Sequence, residues 1–295
     1  MRTRLSTRAD DAIEQLADTP AVRTATEQAA SVVSKVIKPG AVKDALSGTP
    51  VGHPVHPVLV QATIGMLLSA NVLDLVGERR AARRLLGLGV LSAAPSVAAG
   101  WSDWSDTMGK EARVGVIHAV TNATGVSLCA ASYVRRLRGR RGGPALAALG
   151  STMLGLGGWL GGHLSYAYGV GVDTTAFQAG PSDWTDVGPA TLTEGTPLQV
   201  DADGVPVLLI KQRGRVHALA DRCTHRGGPL SEGTFSEGCV ECPWHGSTFD
   251  LASGDVVRGP ATRPQPRFAV RERDGRFEVR RDETRALRTN PVGAG

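Results

Sequence analysis

The chain has 295 residues, 41% of them hydrophobic, with 37 Gly, 17 Pro and 4 Cys. That length suits about two domains, and the composition excludes a disordered, collagen-like or disulfide-stapled chain. The net charge of +5 leaves nucleic acid, an anionic membrane surface or a set of basic loops open as explanations. It is unevenly spread, with 18 Lys/Arg against 12 Asp/Glu in residues 1–182 and 15 against 16 in residues 183–295.

The opening stretch MRTRLSTRADDAIEQLADTP has no apolar run and is not expected to act as a secretory signal. Ile13, Leu16, Val22, Val32, Val33, Val36 and Ile37 recur at helical spacing, so residues 1–50 are predicted to form a surface or interfacial arm of short amphipathic helices. Charge then disappears in four blocks: 29 uncharged residues between Asp44 and Asp74, 18 between Arg84 and Asp103, 21 between Arg113 and Arg135, and 31 between Arg141 and Asp173. About 20 apolar residues suffice to cross the hydrocarbon core of a bilayer. Four membrane spans are therefore predicted, at roughly 57–77, 85–102, 114–134 and 144–170. A soluble bundle would need a polar outer face, and these blocks have no charged stripe. Pro95 is expected to kink the second span, and Gly157, Gly158, Gly161 and Gly162 in the last form two overlapping small-xxx-small patterns suited to close helix packing in lipid.

Arg79, Arg80, Arg83 and Arg84 lie between spans one and two, and Arg135, Arg136, Arg138, Arg140 and Arg141 between spans three and four, so the nine share one membrane face. The positive-inside rule places that face in the cytoplasm and both termini outside. On this reading the positive charge orients a membrane protein, and nucleic acid is not expected as a partner. Arg135-Arg136 and Arg140-Arg141 also suit an internal twin-arginine signal that would move a folded C-terminal domain outward.

A Gly/Asp/Thr/Pro-containing linker, 172–182, leads into β-like runs: VPVLLI at 205–210, RVHALA at 215–220 and FAVRERDGRFEVR at 268–280, the last with a hairpin turn at Asp274-Gly275. Within this region Cys223-Thr224-His225 and Cys242-Pro243-Trp244-His245 each pair one thiol with one imidazole in a tight loop. Zinc modules usually pair like ligands within a knuckle, and a zinc site is the minor alternative here.

CTHRGGPL (Cys223 to Leu230) and CPWHGSTFD (Cys242 to Asp250) resemble the two cluster-binding loops of the Rieske [2Fe-2S] family, a resemblance that covers about residues 183–282. It implies Cys223 and Cys242 on one iron and His225 and His245 on the other. It also implies loop turns at Gly227, Gly228 and Gly246, with Pro229 closing the first loop, and a cover loop containing Pro260 and Pro264. The quinol-oxidising branch of the family has an extra Cys in each loop, joined as a disulfide; those positions are Gly228 and Trp244 here. Ser247 is retained as a donor to a sulfide, whereas Phe249 stands where that branch has Tyr. Fewer donors imply a potential in the lower part of the range of about −150 to +300 mV. The loops are of ferredoxin type. Only about a dozen residues follow the module, so a complete ring-hydroxylating oxygenase is not expected. Cys239 and Cys129 match no role in the family.

His53 and His56 stand at the entrance to span one, with Asp103 at the end of span two, His118 and Asn122 near the start of span three, and His163 near the end of span four. Alternating span direction places these on one face, where they are candidates for haem b, quinone or metal binding, the plain alternative being interhelix hydrogen bonding. The HPxHP start, the Asn in span three and the GGHLSY end resemble a family of four-helix bacterial membrane domains of unknown function.

The expected organisation is α + β in two domains: an amphipathic arm (1–50), a four-helix transmembrane bundle (51–171), a linker (172–182), a small antiparallel β Rieske module (183–282) and a C-terminal tail (283–295). The expected function is one-electron transfer by a membrane-anchored carrier with a redox partner protein or quinone. A membrane oxidoreductase using haem b or quinone is the alternative, and a redox sensor the second alternative.

Overall fold

The computed structural model describes residues 4–282, so the tail expected at 283–295 lies outside them. It divides into two compact units: residues up to Lys38 with Pro54–Gly171, and Pro39–His53 with the chain from Val172 onward.

In the first unit, α1 (Arg4–Ala17) and α2 (Pro20–Val36) precede four long helices, α4 (His56–Leu75), α5 (Arg79–Trp104), α6 (Gly109–Leu137) and α7 (Gly143–Tyr166). Between α2 and α4 the chain forms α3 (Ala41–Ser47) and a single 3-10 turn, Thr49–Val51, both belonging to the second unit. The segment expected as one arm is thus divided between the two units.

By length and composition α4, α5 and α6 can each cross a membrane. The fourth helix, α7, carries no Asp, Glu, Lys or Arg, but its seven glycines dilute its hydropathy and it falls short of the same measure. The helices are arranged inside out: Val58, Leu68, Leu91, Leu149 and Trp159 face outward, while Thr63, Ser96, Ser132 and Ser151 are buried. Interhelix hydrogen bonds join that polar interior, with Thr63 Oγ1 3.0 Å from both Ser92 Oγ and Ser96 Oγ, and Asn71 Nδ2 donating to Ser151 Oγ at 2.6 Å. Such polar groups need partners inside the protein when no water is at hand.

Only one of the two glycine rows on α7 faces α6. A methyl group on Gly161 would meet the His118 ring at 3.1 Å, and Gly157 abuts Asn122, whereas Gly158 and Gly162 have no tight neighbour. Backbone approaches backbone two to three turns earlier in α7, where a methyl on Gly150 would stand 2.7 Å from the Gly125 carbonyl oxygen.

The second unit contains three antiparallel sheets. The first is β1 (Thr185–Pro189), β10 (Arg276–Arg281) and β9 (Phe268–Arg273); the second is β2 (Pro197–Ala202), β3 (Val205–Gln212) and β4 (Arg215–Ala220). The third comprises β5 (Thr234–Ser236), β6 (Cys239–Glu241), β7 (Thr248–Asp250) and β8 (Val256–Arg258). Strand β3 reads as an unbroken apolar run because both its faces are covered. Val207 and Leu209 enter one core with Phe277 and Val279, while Leu208 and Ile210 enter a second with Leu219, Val240 and Phe249. The β9–β10 hairpin turns on Asp274 (φ 51°) and Gly275 (φ 71°), as the Asp-Gly pair predicts.

Candidate metal centre

Two loops rise from the second core. One follows β4 and carries Cys223 and His225; the other joins β6 to β7 and carries Cys242 and His245. They close in the same way. Cys223 N–H donates to Gly228 O (2.9 Å) and Gly227 N–H to Cys223 O (2.9 Å), while Cys242 N–H donates to Ser247 O (2.8 Å) and Gly246 N–H to Cys242 O (3.1 Å). Gly227 and Gly246 take φ of +80° and +74° at equivalent points, where a side chain would be strained.

Cys223 and Cys242 are buried and hydrogen-bonded to each other, while the His225 and His245 rings stand 5.2 Å apart at 88° with both Nδ1 atoms buried. The shared hydrogen bond, followed by burial, pushes the Cys223 thiol well up. The same bond pulls Cys242 down to about 7, helped by the backbone N–H groups of Trp244 and His245. Backbone N–H groups of His225 and Arg226 likewise point at Cys223. Burial first, then the neighbouring His245, Arg226 and Lys43, hold His225 down at about 3, so its imidazole is neutral. A metal cluster takes neutral imidazole and deprotonated thiolate, and here the His225 imidazole is neutral while the backbone N–H groups aimed at both sulfurs favour their thiolate forms.

The two positions that hold a disulfide in the quinol-oxidising branch are in contact here. A methyl on Gly228 would lie 2.9 Å from Trp244 Cγ and 2.8 Å from Cys242 Sγ, so the indole packs directly over the glycine. All four cysteines are unbridged.

A cover loop follows β8, running through the cis Gly259-Pro260 bond to Pro264. Ala261 N–H donates to Ser247 Oγ (3.0 Å), so the Ser247 proton is free to point elsewhere. Thr224 donates from its N–H to Gln265 Oε1 (3.1 Å) and from its hydroxyl to Arg263 O (2.9 Å), while Gln265 Nε2 reaches Ala220 O and Arg222 O at 2.7 and 2.6 Å. Gln265 is 2% exposed and braces the first loop against the cover. Sequence reasoning passed over it; the available signal was one polar residue flanked by Pro264 and Pro266. Asp221, buried beneath the first loop, accepts from Ser231 N–H (2.6 Å) and from Gln199. Phe249 is fully buried below the site, and Pro229 leads into the 3-10 turn Leu230–Glu232.

Of the candidates expected in the membrane half, His53 belongs to the second unit and His56, Asp103, His118, Asn122 and His163 to the first. His56 Nδ1 lies 2.9 Å from Ser96 O and His118 Nδ1 2.8 Å from Gly157 O, with Asn122 Nδ2 donating to His118 O at 2.9 Å. His163 stacks on Trp159 and stands 3.7 Å from Asp10, and Asp103 sits in the last turn of α5.

Among the described residues no three His, Cys, Asp or Glu side chains converge as they would around a single ion. Two thiols at one end and two imidazoles at the other suit a two-metal cluster, which takes two protein ligands at each metal. The β module, its paired loops and their mixed donors thus define an iron–sulfur protein. Residues 183–269 match the Rieske [2Fe-2S] domain, and residues 52–174 the family described as Predicted membrane protein (DUF2231). The chain belongs to the Rieske family, with a membrane-protein domain fused ahead of the Rieske domain and a [2Fe-2S] cluster as its cofactor.

The anthranilate 1,2-dioxygenase ferredoxin subunit of Burkholderia cepacia is 32% identical over 103 residues, covering 35% of this chain and 95% of that protein. Ferredoxin CarAc of Metapseudomonas resinovorans is 35% identical over 86 residues, covering 29% and 80%. Mouse apoptosis-inducing factor 3 is 36% identical over 89 residues, which span 30% of this chain and only 15% of that protein. Among solved structures, the ferredoxin of carbazole 1,9a-dioxygenase from Nocardioides aromaticivorans is 26% identical, covering 34% of this chain and all of that one, with a TM-score of 0.32. Similarity to dioxygenase ferredoxin subunits supports electron transfer as the role of the Rieske domain.

Proposed function

We propose that this chain is a membrane-anchored electron carrier of Rieske ferredoxin type, in which Cys223 and Cys242 hold one iron and His225 and His245 the other. The observation that carries the assignment is the convergence of two equivalent loops, with the thiols in mutual contact and the imidazoles 5.2 Å apart. The bound cluster supplies reversible one-electron transfer. The buried thiols face the core, whereas His225 and His245 are half-buried beside the half-exposed Trp244. Electrons therefore enter and leave on the histidine side. The N–H groups aimed at the thiolates, and the Ser247 hydroxyl, stabilise negative charge there and set the potential.

The partner is a redox protein that docks at the histidine side, as the ferredoxin subunits' names suggest for theirs, with a quinone as the alternative and no role for nucleic acid. Residues 1–50 precede a bundle at 51–171 in which α7 is the fourth span, helped across by its lack of charge, and residues 172–182 link it to the module at 183–282. The basic loops face the cytoplasm, which puts the Rieske domain outside. In the test, reduced full-length protein is mixed with a one-electron acceptor protein. It reoxidises by one electron per chain, whereas Cys223→Ser shows no such phase; equal traces contradict the proposal. A C-terminal reporter fusion active only in the cytoplasm contradicts the orientation.

A second reading gives the bundle a haem b or quinone of its own. It is favoured by His56, whose Nδ1 lies on the Ser96 carbonyl and so directs Nε2 elsewhere, and by His118, whose Nδ1 lies on the Gly157 carbonyl while Nε2 stands 3.2 Å from Asn122 Nδ2, a contact that a ligand would replace. A haem absorption band in the purified protein that is lost in His118→Leu supports it, and a spectrum holding only iron–sulfur features rejects the haem.

A further inference from the structure

The segment ahead of α4 grips the cover of the cluster loops. Asp44 Oδ1 accepts from Gly259 N–H at 3.1 Å, and the Thr49 hydroxyl donates to Ala261 O at 3.0 Å, contacts that span more than 200 residues of sequence. The segment holds itself in shape: Gly48 N–H bonds Asp44 O (3.0 Å), Gly52 N–H bonds Thr49 O (3.1 Å), and His53 N–H bonds Gly48 O (3.3 Å). Gly259 has no room for a side chain because of this grip. A methyl there would sit 2.9 Å from Asp44 Oδ1 and 3.2 Å from Thr49 Cβ. Eight residues after α7, Thr174 donates from its hydroxyl to Cys223 O (2.7 Å) and from its N–H to Thr224 O (3.1 Å). The cover in turn is bonded to both ligand loops through Ser247 and Thr224.

We propose that residues 39–53, together with Thr174, form a clasp that holds the proline cover shut over the cluster, making the two flanks of the helical domain positioning elements of the iron–sulfur site. This rests on the Rieske reading. The two flanks are the points where the chain leaves and re-enters the Rieske unit, so a module cut at residue 183 lacks both grips. Lys43, beside Asp44 in α3, is itself buried, so this helix packs closely where it makes the grip.

The test uses full-length protein in detergent and follows bleaching of the visible cluster spectrum in the presence of an iron chelator, alongside amide exchange at Gly259. Loss of two hydrogen bonds of about 1 kcal/mol each predicts that Asp44→Ala with Thr49→Val loses its cluster about tenfold faster or more, with Gly259 deprotected. Asp44→Asn and Thr49→Ser keep an acceptor and a donor and behave like wild type. Gly259→Ala, which leaves the clasp residues intact, gives the same fast loss, and adding it to the double variant changes nothing further. Loss rates within about twofold of wild type in both the double variant and Gly259→Ala overturn the clasp. Wild-type protein without a Rieske spectrum overturns the cluster reading and the clasp with it.

Discussion

Ser247 shows how one side chain serves two masters. Its oxygen is tied to the cover through Ala261 N–H, which leaves its proton for the cluster side. Ser247→Ala is expected to lower the midpoint potential and, by removing a bond of about 1 kcal/mol, to loosen the cover. An EPR-monitored redox titration checks the first effect, and an unchanged or raised potential contradicts it. His225 sets a pH dependence in the cluster-free protein. Its folded-state value of about 3 lies below the ordinary 6.5, so the unfolded chain takes up a proton that the folded chain refuses. Stability is therefore unaffected by this group above pH 6.5 and falls as the pH drops from 6.5 toward 3. Thermal melts of chelator-treated wild type and His225→Gln across that window should diverge as the pH falls, and parallel curves contradict the assignment.

At the scale of elements, glycine position matters more than glycine content. Gly125 and Gly150 meet backbone to backbone between α6 and α7, while Gly158 faces open space. Gly150→Ala is predicted to destabilise the helical unit and Gly158→Ala to leave it unchanged, as read by thermal unfolding in detergent. The small-residue patterns were visible in the sequence, but which row faces a neighbour depends on helix rotation, and sequence alone does not fix that. The same applies to Arg136. In sequence it is one of nine loop arginines, yet it forms a buried two-point ion pair with Asp74 at 2.6 and 2.5 Å, linking the ends of α4 and α6. Asp74→Ala leaves that guanidinium buried without its carboxylate and is expected to cost about 3–5 kcal/mol. A loss under about 1 kcal/mol in detergent denaturation would place the pair in the exposed class instead.

Across the molecule, the strands at 205–210, 215–220 and 268–280 and the paired Cys/His loops were legible because each is a local signal: an apolar run, a turn dipeptide, a short ligand spacing. The braces were not. Gln265, Thr174, Asp44 and Thr49 are ordinary polar residues whose partners lie about 40 to more than 200 positions away, and no periodicity marks them. The ring contacts of the membrane histidines were likewise not legible: His56 and His118 each place Nδ1 on a carbonyl of a neighbouring helix. At this scale the proposal is one Rieske cluster per chain, exchanging single electrons. EPR-monitored titration of the purified full-length protein, with iron quantified in the same sample, tests it most directly. Two irons per chain are expected, with one Rieske signal that titrates as a one-electron couple and is lost in Cys223→Ser. A protein that contains zinc instead of iron, or whose signal survives Cys223→Ser, contradicts it.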